Sequence, residues 1–213
     1  GYEILKEKPE IKGMPSMSGK ETLVIYLKDK VSAFSAELYY TVYDDADVIA
    51  RHIVYKNNSG NDVTLHRAYS FSFGIPTGEY ELLSLYGGWA TERHIDRTTL
   101  HHGVTSIDSK RTSSSATLNP FIGIMTPNST ENSGEVYGFS LVYSSSFVLK
   151  AEKTTSGEIL VTGGINDFDF SWHLKAEESF ETPEVVIAYS NEGIGGMSRQ
   201  FHDAFRNHLI NKR

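Results

Sequence analysis

Hydrophobic and polar residues alternate with a period of two along most of the chain, from about residue 21 to residue 189. Successive side chains of a β-strand point to opposite faces, so this period predicts strands with one buried face. The residues predicted to face the core in three such segments are Leu23, Ile25 and Leu27; Leu38, Tyr40 and Val42; and Val63, Leu65, Tyr69, Phe71, Phe73 and Ile75.

The most regular alternation is in "DFDFSWHLK", which predicts a strand over residues 167–175. Phe168, Phe170, Trp172 and Leu174 would share its buried face, a placement that no helix can give to residues spaced by two. Arg67 falls on the same phase as Leu65 and Tyr69 in its own segment. An unpaired buried arginine is too costly to keep, so Arg67 is expected at a strand edge or against a partner.

Clusters rich in Gly, Asn and Asp separate the strands, for example "YDDAD" at 43–47 and "NNSGN" at 57–61. These residues favour tight connections and so favour antiparallel pairing. About a dozen such strands predict an all-β fold, a large antiparallel β-sandwich.

The pattern changes at the end of the chain. Apolar residues recur there at spacings of three and four, which predicts an amphipathic helix over 197–213 with Ser198 as its N-cap. The residues on its apolar face are Met197, Phe201, Ala204, Phe205 and Leu209.

Composition narrows the possible partners. The net charge is −7 and no run of basic residues forms a stripe, so nucleic acid and anionic membranes are not expected as partners. The chain has no cysteine, which excludes disulfides, thiolate catalysis and Cys-ligated metals, and no cofactor fingerprint was found. No stretch is apolar enough to span a membrane.

The segment "GGWATERHIDR", residues 87–97, concentrates chemically active side chains. Glu92 and Asp96 suggest the carboxylate pair of a glycosidase. On one strand, however, their α-carbons would lie roughly 13 Å apart, whereas the two mechanisms need carboxyl separations of about 5–9.5 Å. Arg93 and Arg97 favour a charge-paired surface or interface instead. The histidines nearby lack metal-ligand spacing, so no metal site is predicted.

Five blocks together resemble one known family. They are "YELLSLYGGWATERHIDR", "SSSATLNPFIGI", "GEVYGFSLVYSSSF", "INDFDFSWHL" and "ESFETPEVVIAYSNEGIGGMSRQFHDAFRNHL". In this order they resemble the N-terminal β-sandwich, or super-sandwich, of bacterial α-galactosidases of glycoside hydrolase family 36.

The resemblance implies an accessory domain. Residues 1–196 would form an N-terminally truncated β-sandwich, and 197–213 a linker helix leading to a (β/α)8 barrel. That barrel would carry two aspartates that hydrolyse galactosides such as melibiose or raffinose with retention. The whole enzyme would be a cytoplasmic homo-oligomer, a tetramer in the family, and this chain alone would be inactive.

The resemblance also implies which residues face the barrel or a neighbouring subunit and lie near the substrate: Trp89, Glu92, Arg93, Asn119 and Pro120. The sequence departs from the family's pattern at two places. Thr91 stands where the family has arginine, and "SSSATLNPF" lacks the family's histidines.

Two other functions stay open from the residues alone. Aromatic residues make up 12% of the chain, which fits a free-standing carbohydrate-binding module. A pure interaction module without a sugar role is the third hypothesis.

Overall fold

The computed structural model describes residues 1–210. Sixteen strands, one α-helix and one π-helical turn, Phe205–Leu209, are found in this part of the chain. The strands are β1 (Tyr2–Leu5), β2 (Thr22–Lys28), β3 (Phe34–Tyr43), β4 (Val48–Asn57), β5 (Val63–Leu65), β6 (Tyr69–Ile75), β7 (Glu81–Gly88), β8 (Thr91–Thr99), β9 (Gly103–Asp108), β10 (Leu118–Met125), β11 (Val136–Leu141), β12 (Phe147–Lys153), β13 (Ile159–Ile165), β14 (Trp172–Leu174), β15 (Ser179–Glu181) and β16 (Val185–Ser190), and the helix is α1 (Gly193–Ala204).

Most strands join one large antiparallel sheet, in the order β1-β2-β3-β4-β16-β11-β10-β7-β8, with β15 also pairing with β4. A three-stranded sheet, β12-β13-β6, and a two-stranded sheet, β14-β5, complete the pairing. Strand β9 lies beside β12, where the Ser109 amide donates to the carbonyl of Phe147 at 2.9 Å.

The main core lies between the three-stranded sheet and the middle of the large sheet. Phe71 of β6 stacks on Phe139 of β11 with ring centroids 5.4 Å apart, and Ile122, Phe147 and Val161 are fully buried around them. Two antiparallel sheets that enclose an apolar layer are a β-sandwich. The predicted fold class, all-β with one C-terminal helix, is confirmed.

The middle strands of the large sheet are buried on both faces. On β7, Leu82 contributes to the main core and Leu83 to a second core on the opposite face, which α1 covers through Met197 and Phe201. Strand β16 has the sequence VVIAYS, in which four consecutive residues are buried. A strand covered on both sides does not alternate, so the expectation of one buried face is wrong here.

The buried face predicted for β2 and β3 is also wrong. Leu27 and Val42 are 51% and 66% exposed, whereas Thr22, Val24 and Thr41 are buried. The three-stranded sheet covers only the middle of the large sheet. The N-terminal segment containing Met17 instead covers the opposite face, where Met17 packs against Tyr43.

The predicted strand over 167–175 forms only at Trp172–Leu174. Residues before it make a turn in which Asp169 has a φ of 55°, a left-handed conformation that interrupts the alternation. Asn166 holds this turn: its Nδ2 donates to the carbonyls of Ser109 and Phe147, both at 3.0 Å. A side-chain amide therefore replaces the expected strand pairing.

The helix begins four residues earlier than predicted. Its N-cap is Glu192 and not Ser198, and no side chain caps it. Loop carbonyls satisfy the first turn instead, because Ile194 N donates to Thr130 O and Gly195 N to Glu131 O. Ile210 is already extended, so the helical part ends at Leu209. The rest of the helix predicted over 197–213, residues 211–213, lies outside the described residues.

Candidate functional site

The hairpin of β7 and β8 forms one edge of the large sheet. Gly88 pairs with Thr91, which leaves Trp89 and Ala90 as a two-residue turn with Ala90 at a φ of 60°. Trp89 is 94% exposed at this tip, and every residue of β8 is exposed. The tip therefore presents a large aromatic ring to the solvent.

A β-bulge behind the tip sets the direction of Arg93. Tyr86 pairs with His94 and Gly88 with Thr91, so β8 has one more residue than β7 between the two pairs. Arg93 takes up this difference with a φ of 61°. The bulge brings β8 so close to Gly87 that a Cβ there would lie 2.2 Å from the carbonyl of Thr91. Glycine at residue 87 is thus a requirement of the bulge.

A groove of about 490 Å³ lies between this hairpin, β10 and α1, and we call it the helix groove. Three of the five predicted site residues, Arg93, Asn119 and Pro120, line it together. Trp89 and Glu92 do not: Trp89 occupies the tip, and the Glu92 carboxylate accepts a hydrogen bond from the Ala90 amide at 3.1 Å. Glu92 thus stabilises the turn.

The floor of the helix groove is apolar. It consists of Leu83, Leu85, Ile95, Phe121, Ile194, Met197, Phe201 and Phe205. Phe121 of β10 meets Phe201 of α1 edge to face, with centroids 5.9 Å apart. Sequence reasoning noticed the apolar face of the helix but missed these floor residues, because nothing in the local pattern states which sheet face the helix contacts.

Asn119 supplies an unpaired polar group beside this apolar floor. Its Nδ2 is buried and has no hydrogen-bond partner among the described residues. A buried unpaired donor costs roughly 1–3 kcal/mol, so an acceptor from outside the chain would restore that loss. The groove therefore combines an apolar floor, one unsatisfied amide and one guanidinium.

Close packing of α1 on the large sheet depends on Gly138 of β11. A Cβ at this residue would lie 2.5 Å from the sulfur of Met197 and 2.6 Å from Cε2 of Phe201. A side chain there would force Met197 and Phe201 to move from their present packing. Gly138 is a residue that sequence reasoning missed, since its role depends on a contact with a helix more than fifty residues away.

One charge on β8 is paired across to the neighbouring strand. Arg97 donates through Nε to Glu81 of β7 at 2.9 Å, and its Nη1 donates to the carbonyl of Ser129 at 2.9 Å. Arg97 and Glu81 lie diagonally on paired strands, where side chains come within reach of each other. Glu92 and Asp96 both lie on β8, the arrangement in which their separation is too large for glycoside hydrolysis.

Arg67 lies in the loop between β5 and β6, not within a continuous strand. Its Nη2 lies 3.0 Å from the Asp167 carboxylate, and its guanidinium lies over the ring of Tyr69. The described residues contain no cluster of three His, Asp or Glu side chains placed to hold a metal ion. Within the same residues, no helix is long and apolar enough to cross a membrane.

The fold and the groove define a β-sandwich domain whose large sheet carries a single helix on its outer face. A profile of the "Glycosyl hydrolase family 36 N-terminal domain" matches residues 1–175, and one of "Melibiase" matches residues 179–213. The chain therefore belongs to glycoside hydrolase family 36, in which it corresponds to the N-terminal domain. This confirms the resemblance found in the sequence.

Relatives and solved structures agree with this assignment. Alpha-galactosidase AgaA of Geobacillus stearothermophilus is 41% identical over 98% of this chain and 29% of its own length. Probable alpha-galactosidase C of Aspergillus flavus is 39% identical over 100% of the chain and 29% of its own length. The crystal structure of the alpha-galactosidase from Lactobacillus brevis superposes with a TM-score of 0.95 at 32% identity, covering 99% of this chain and 29% of that one.

The chain thus spans less than a third of the length of these relatives. The two profiles meet in the turn before β15, so the second profile includes β16, a central strand of the large sheet. The division predicted between residues 196 and 197 stays a prediction.

Proposed function

We propose that this chain is the non-catalytic N-terminal domain of an α-galactosidase, and that its helix groove and Trp89 tip contact the catalytic part or a second subunit. The observation that carries the proposal is the groove itself. It offers an apolar floor, the unpaired Nδ2 of Asn119 and the Arg93 guanidinium on one surface. Apolar surface with a few unsatisfied polar groups is typical of a face that another protein surface covers.

The activity proposed for the whole enzyme is hydrolysis of terminal α-linked galactose with retention, in a (β/α)8 barrel outside this chain. A variant of the relative AgaA has been solved in complex with raffinose, which supports raffinose-type galactosides as substrates. The tetrameric assembly and the cytoplasmic location implied by the family resemblance are part of the same proposal.

The test compares this chain with the whole enzyme on a chromogenic α-galactoside. We expect galactose release from the whole enzyme and none from the chain alone, because the proposal places both catalytic aspartates in the barrel outside this chain. An inactive whole enzyme would refute the α-galactosidase assignment. Activity of the chain alone would refute its accessory role.

Docking at the groove has its own test. Arg93→Ala in the whole enzyme should weaken assembly or activity, while the same substitution in this chain leaves its free energy of unfolding within about 0.5 kcal/mol, since Arg93 is exposed. The matched control is Arg111→Ala, an exposed arginine remote from the groove. Equal effects of both substitutions on the enzyme would contradict docking at the groove.

A further inference from the structure

A second cleft, of about 710 Å³, lies away from the helix groove and shares no residue with it. We call it the Trp172 cleft. It is bounded by the turn before β14, by the loop between β11 and β12, and by the N-terminal segment near Lys12. Its lining includes Lys12, Tyr143, Phe168, Asp169, Phe170 and Trp172.

The floor of the Trp172 cleft is aromatic and rigidly backed. Trp172 is 47% exposed, yet its ring packs on Phe180 with centroids 5.0 Å apart. Phe180 is itself buried, and Phe170 meets it edge to face at 6.1 Å. The indole face is thus held in place while remaining open to solvent. Burying an open aromatic face releases hydrophobic free energy with little loss of side-chain entropy.

The turn beside the floor is preorganised. The Asn166 amide group holds it through the two carbonyl contacts described above, and Asn166 Oδ1 accepts a hydrogen bond from the Phe168 amide at 2.9 Å. These bonds fix Asp169 in its left-handed conformation, which is unfavourable for a residue with a side chain. Strained residues of this kind cluster at ligand-binding sites.

Hydrogen-bond donors and acceptors that are free to bind a ligand surround the Trp172 ring. The Asp169 carboxylate and the Lys12 ammonium line the cleft, are exposed to solvent and take no part in the ion pairs among the described residues. The indole N–H of Trp172 likewise has no acceptor among residues 1–210. The cleft therefore offers carboxylate acceptors, with that of Asp169 unpaired, and two free donors next to a flat apolar surface.

This combination selects among ligand classes. An entirely apolar ligand would strip water from Asp169 and Lys12 without replacing its hydrogen bonds. An anionic ligand would meet the carboxylates of Asp169 and Glu181. Of the two ammonium groups nearby, Lys12 is unpaired, whereas Lys110, over the ring of Phe168, already pairs with Asp108 at 3.3 Å. A neutral sugar avoids both problems. Its apolar C–H face can cover the indole ring, and its hydroxyl groups can donate and accept hydrogen bonds without bringing a negative charge.

We propose that the Trp172 cleft is a binding site for a neutral saccharide, with Trp172 as the stacking surface and Asp169 as the principal hydrogen-bond acceptor. The site shares no residue with the helix groove. Its occupancy by sugar and the α-galactosidase activity of the whole enzyme are therefore measured separately, so one can fail without the other.

Tryptophan fluorescence tests this directly, because the chain has two tryptophans. In the Trp89→Phe variant, Trp172 is the one remaining tryptophan, so the tryptophan emission comes from the proposed site. Titration of that variant with raffinose, and separately with galactose and maltose, should give a saturable change in the Trp172 emission for at least one sugar. The absence of a saturable change with all three sugars, checked by calorimetry on the unsubstituted chain, would overturn the proposal.

Two substitutions locate the site. Trp172→Ala should weaken sugar binding measured by calorimetry by up to about tenfold, since a lost ring contact is worth up to about 1.5 kcal/mol. Asp169→Gly should weaken it as well while leaving the chain at least as stable, because glycine adopts the left-handed conformation without strain.

The matched control is Asp47→Gly, an exposed aspartate with a φ of 51° in the turn between β3 and β4. It relieves the same kind of strain at a distant position and should leave sugar affinity unchanged. Equal affinity in the Asp169→Gly, Asp47→Gly and unsubstituted chains would overturn the role of Asp169. Undiminished binding in a folded Trp172→Ala chain would overturn the site.

Discussion

The ammonium group of Lys8 lies 2.6 Å from the carboxylate of Glu184, and both side chains are almost completely buried. The same carboxylate accepts a hydrogen bond from the Met17 amide at 2.7 Å, and Lys8 donates to the Met17 carbonyl at 2.7 Å. Burial raises the pKa of Glu184, and the charge of Lys8 opposes that rise. The pair attaches the N-terminal segment to the residue that precedes β16.

Removing one charge of this pair should be costly. Glu184→Gln keeps the shape of the side chain and leaves Lys8 buried without a counter-charge, so we expect a loss of about 3–5 kcal/mol in the free energy of unfolding, measured with urea. The double substitution Lys8→Met and Glu184→Leu should recover most of it.

The control for this prediction is Asp203→Asn. Asp203 pairs with Arg206 at 3.1 Å and both side chains are exposed, so its loss should cost about 1 kcal/mol or less. Equal costs for Glu184→Gln and Asp203→Asn would contradict the importance of burial.

His52 should make stability depend on pH. Burial, assisted by the nearby charge of Lys8, lowers the pKa of His52 from 6.5 to about 3. Between these values the unfolded chain binds a proton that the folded chain does not, so stability falls as the pH falls below 6.5. The slope from this group approaches about 1.4 kcal/mol per pH unit.

The His52→Phe variant isolates this effect, because it keeps a ring stacked on Tyr39, whose centroid lies 4.5 Å from that of His52. Urea unfolding from pH 7 to pH 4 should show a smaller slope for the variant, since carboxylate titrations common to both chains cancel. His101→Phe, at an exposed histidine, should leave the slope unchanged. If the unfolding free energy of the His52 variant and of the unsubstituted chain changed equally with pH, His52 would not be the source of the pH dependence.

Gly138 should control the attachment of α1. Gly138→Ala places a methyl group against Met197 and Phe201, and we expect a loss of about 1–3 kcal/mol in unfolding free energy with faster hydrogen exchange of the α1 amides. The control is Gly123→Ala on the paired position of β10, where the nearest atom to a new Cβ lies at 3.5 Å. Equal hydrogen exchange of the α1 amides in the two variants would contradict a role of Gly138 in holding α1 on the sheet.

Trp89 should contribute to the assembly or activity of the whole enzyme but not to the stability of this domain. Trp89→Ala should change the unfolding free energy of this chain by less than about 0.5 kcal/mol, because the ring is almost fully exposed. In the whole enzyme it should lower assembly, measured as mass in solution, or activity. Val31→Ala, at an equally exposed residue between β2 and β3, should do neither. An unchanged Trp89→Ala enzyme would reject the contact.

The sequence predicts the fold class well because period-two alternation is a local property of each strand. It fails for the buried faces of β2 and β3, since burial there depends on which layer covers which part of the large sheet. Leu27 and Val42 carry the right residue type for a core but lie beyond the three-stranded sheet. The strand expected at Phe168 fails for a related reason, because the Asn166 hydrogen bonds that bend the chain are long-range.

The sequence likewise predicts only part of the candidate site. Arg93, Asn119 and Pro120 are identified through the family resemblance, and the structure brings them together in one groove. The floor residues and Gly138 could not be found in this way, because their role arises only when α1 packs across β11. The apolar spacing of Met197, Phe201 and Phe205 is the one signal that could have indicated it.

The fully exposed strand β8 has a consequence for the behaviour of the isolated chain. An unpaired edge strand is a template on which other chains can polymerise into fibrils. Here the edge carries Glu92, Arg93, Asp96 and Arg97, and a left-handed residue bends it near the tip. These charges and the bend oppose pairing of β8 with the same strand of another chain. Replacing Glu92, Asp96 and Arg97 with β-branched residues, with Arg93 kept in its left-handed conformation, would make concentrated solutions of the chain prone to aggregate.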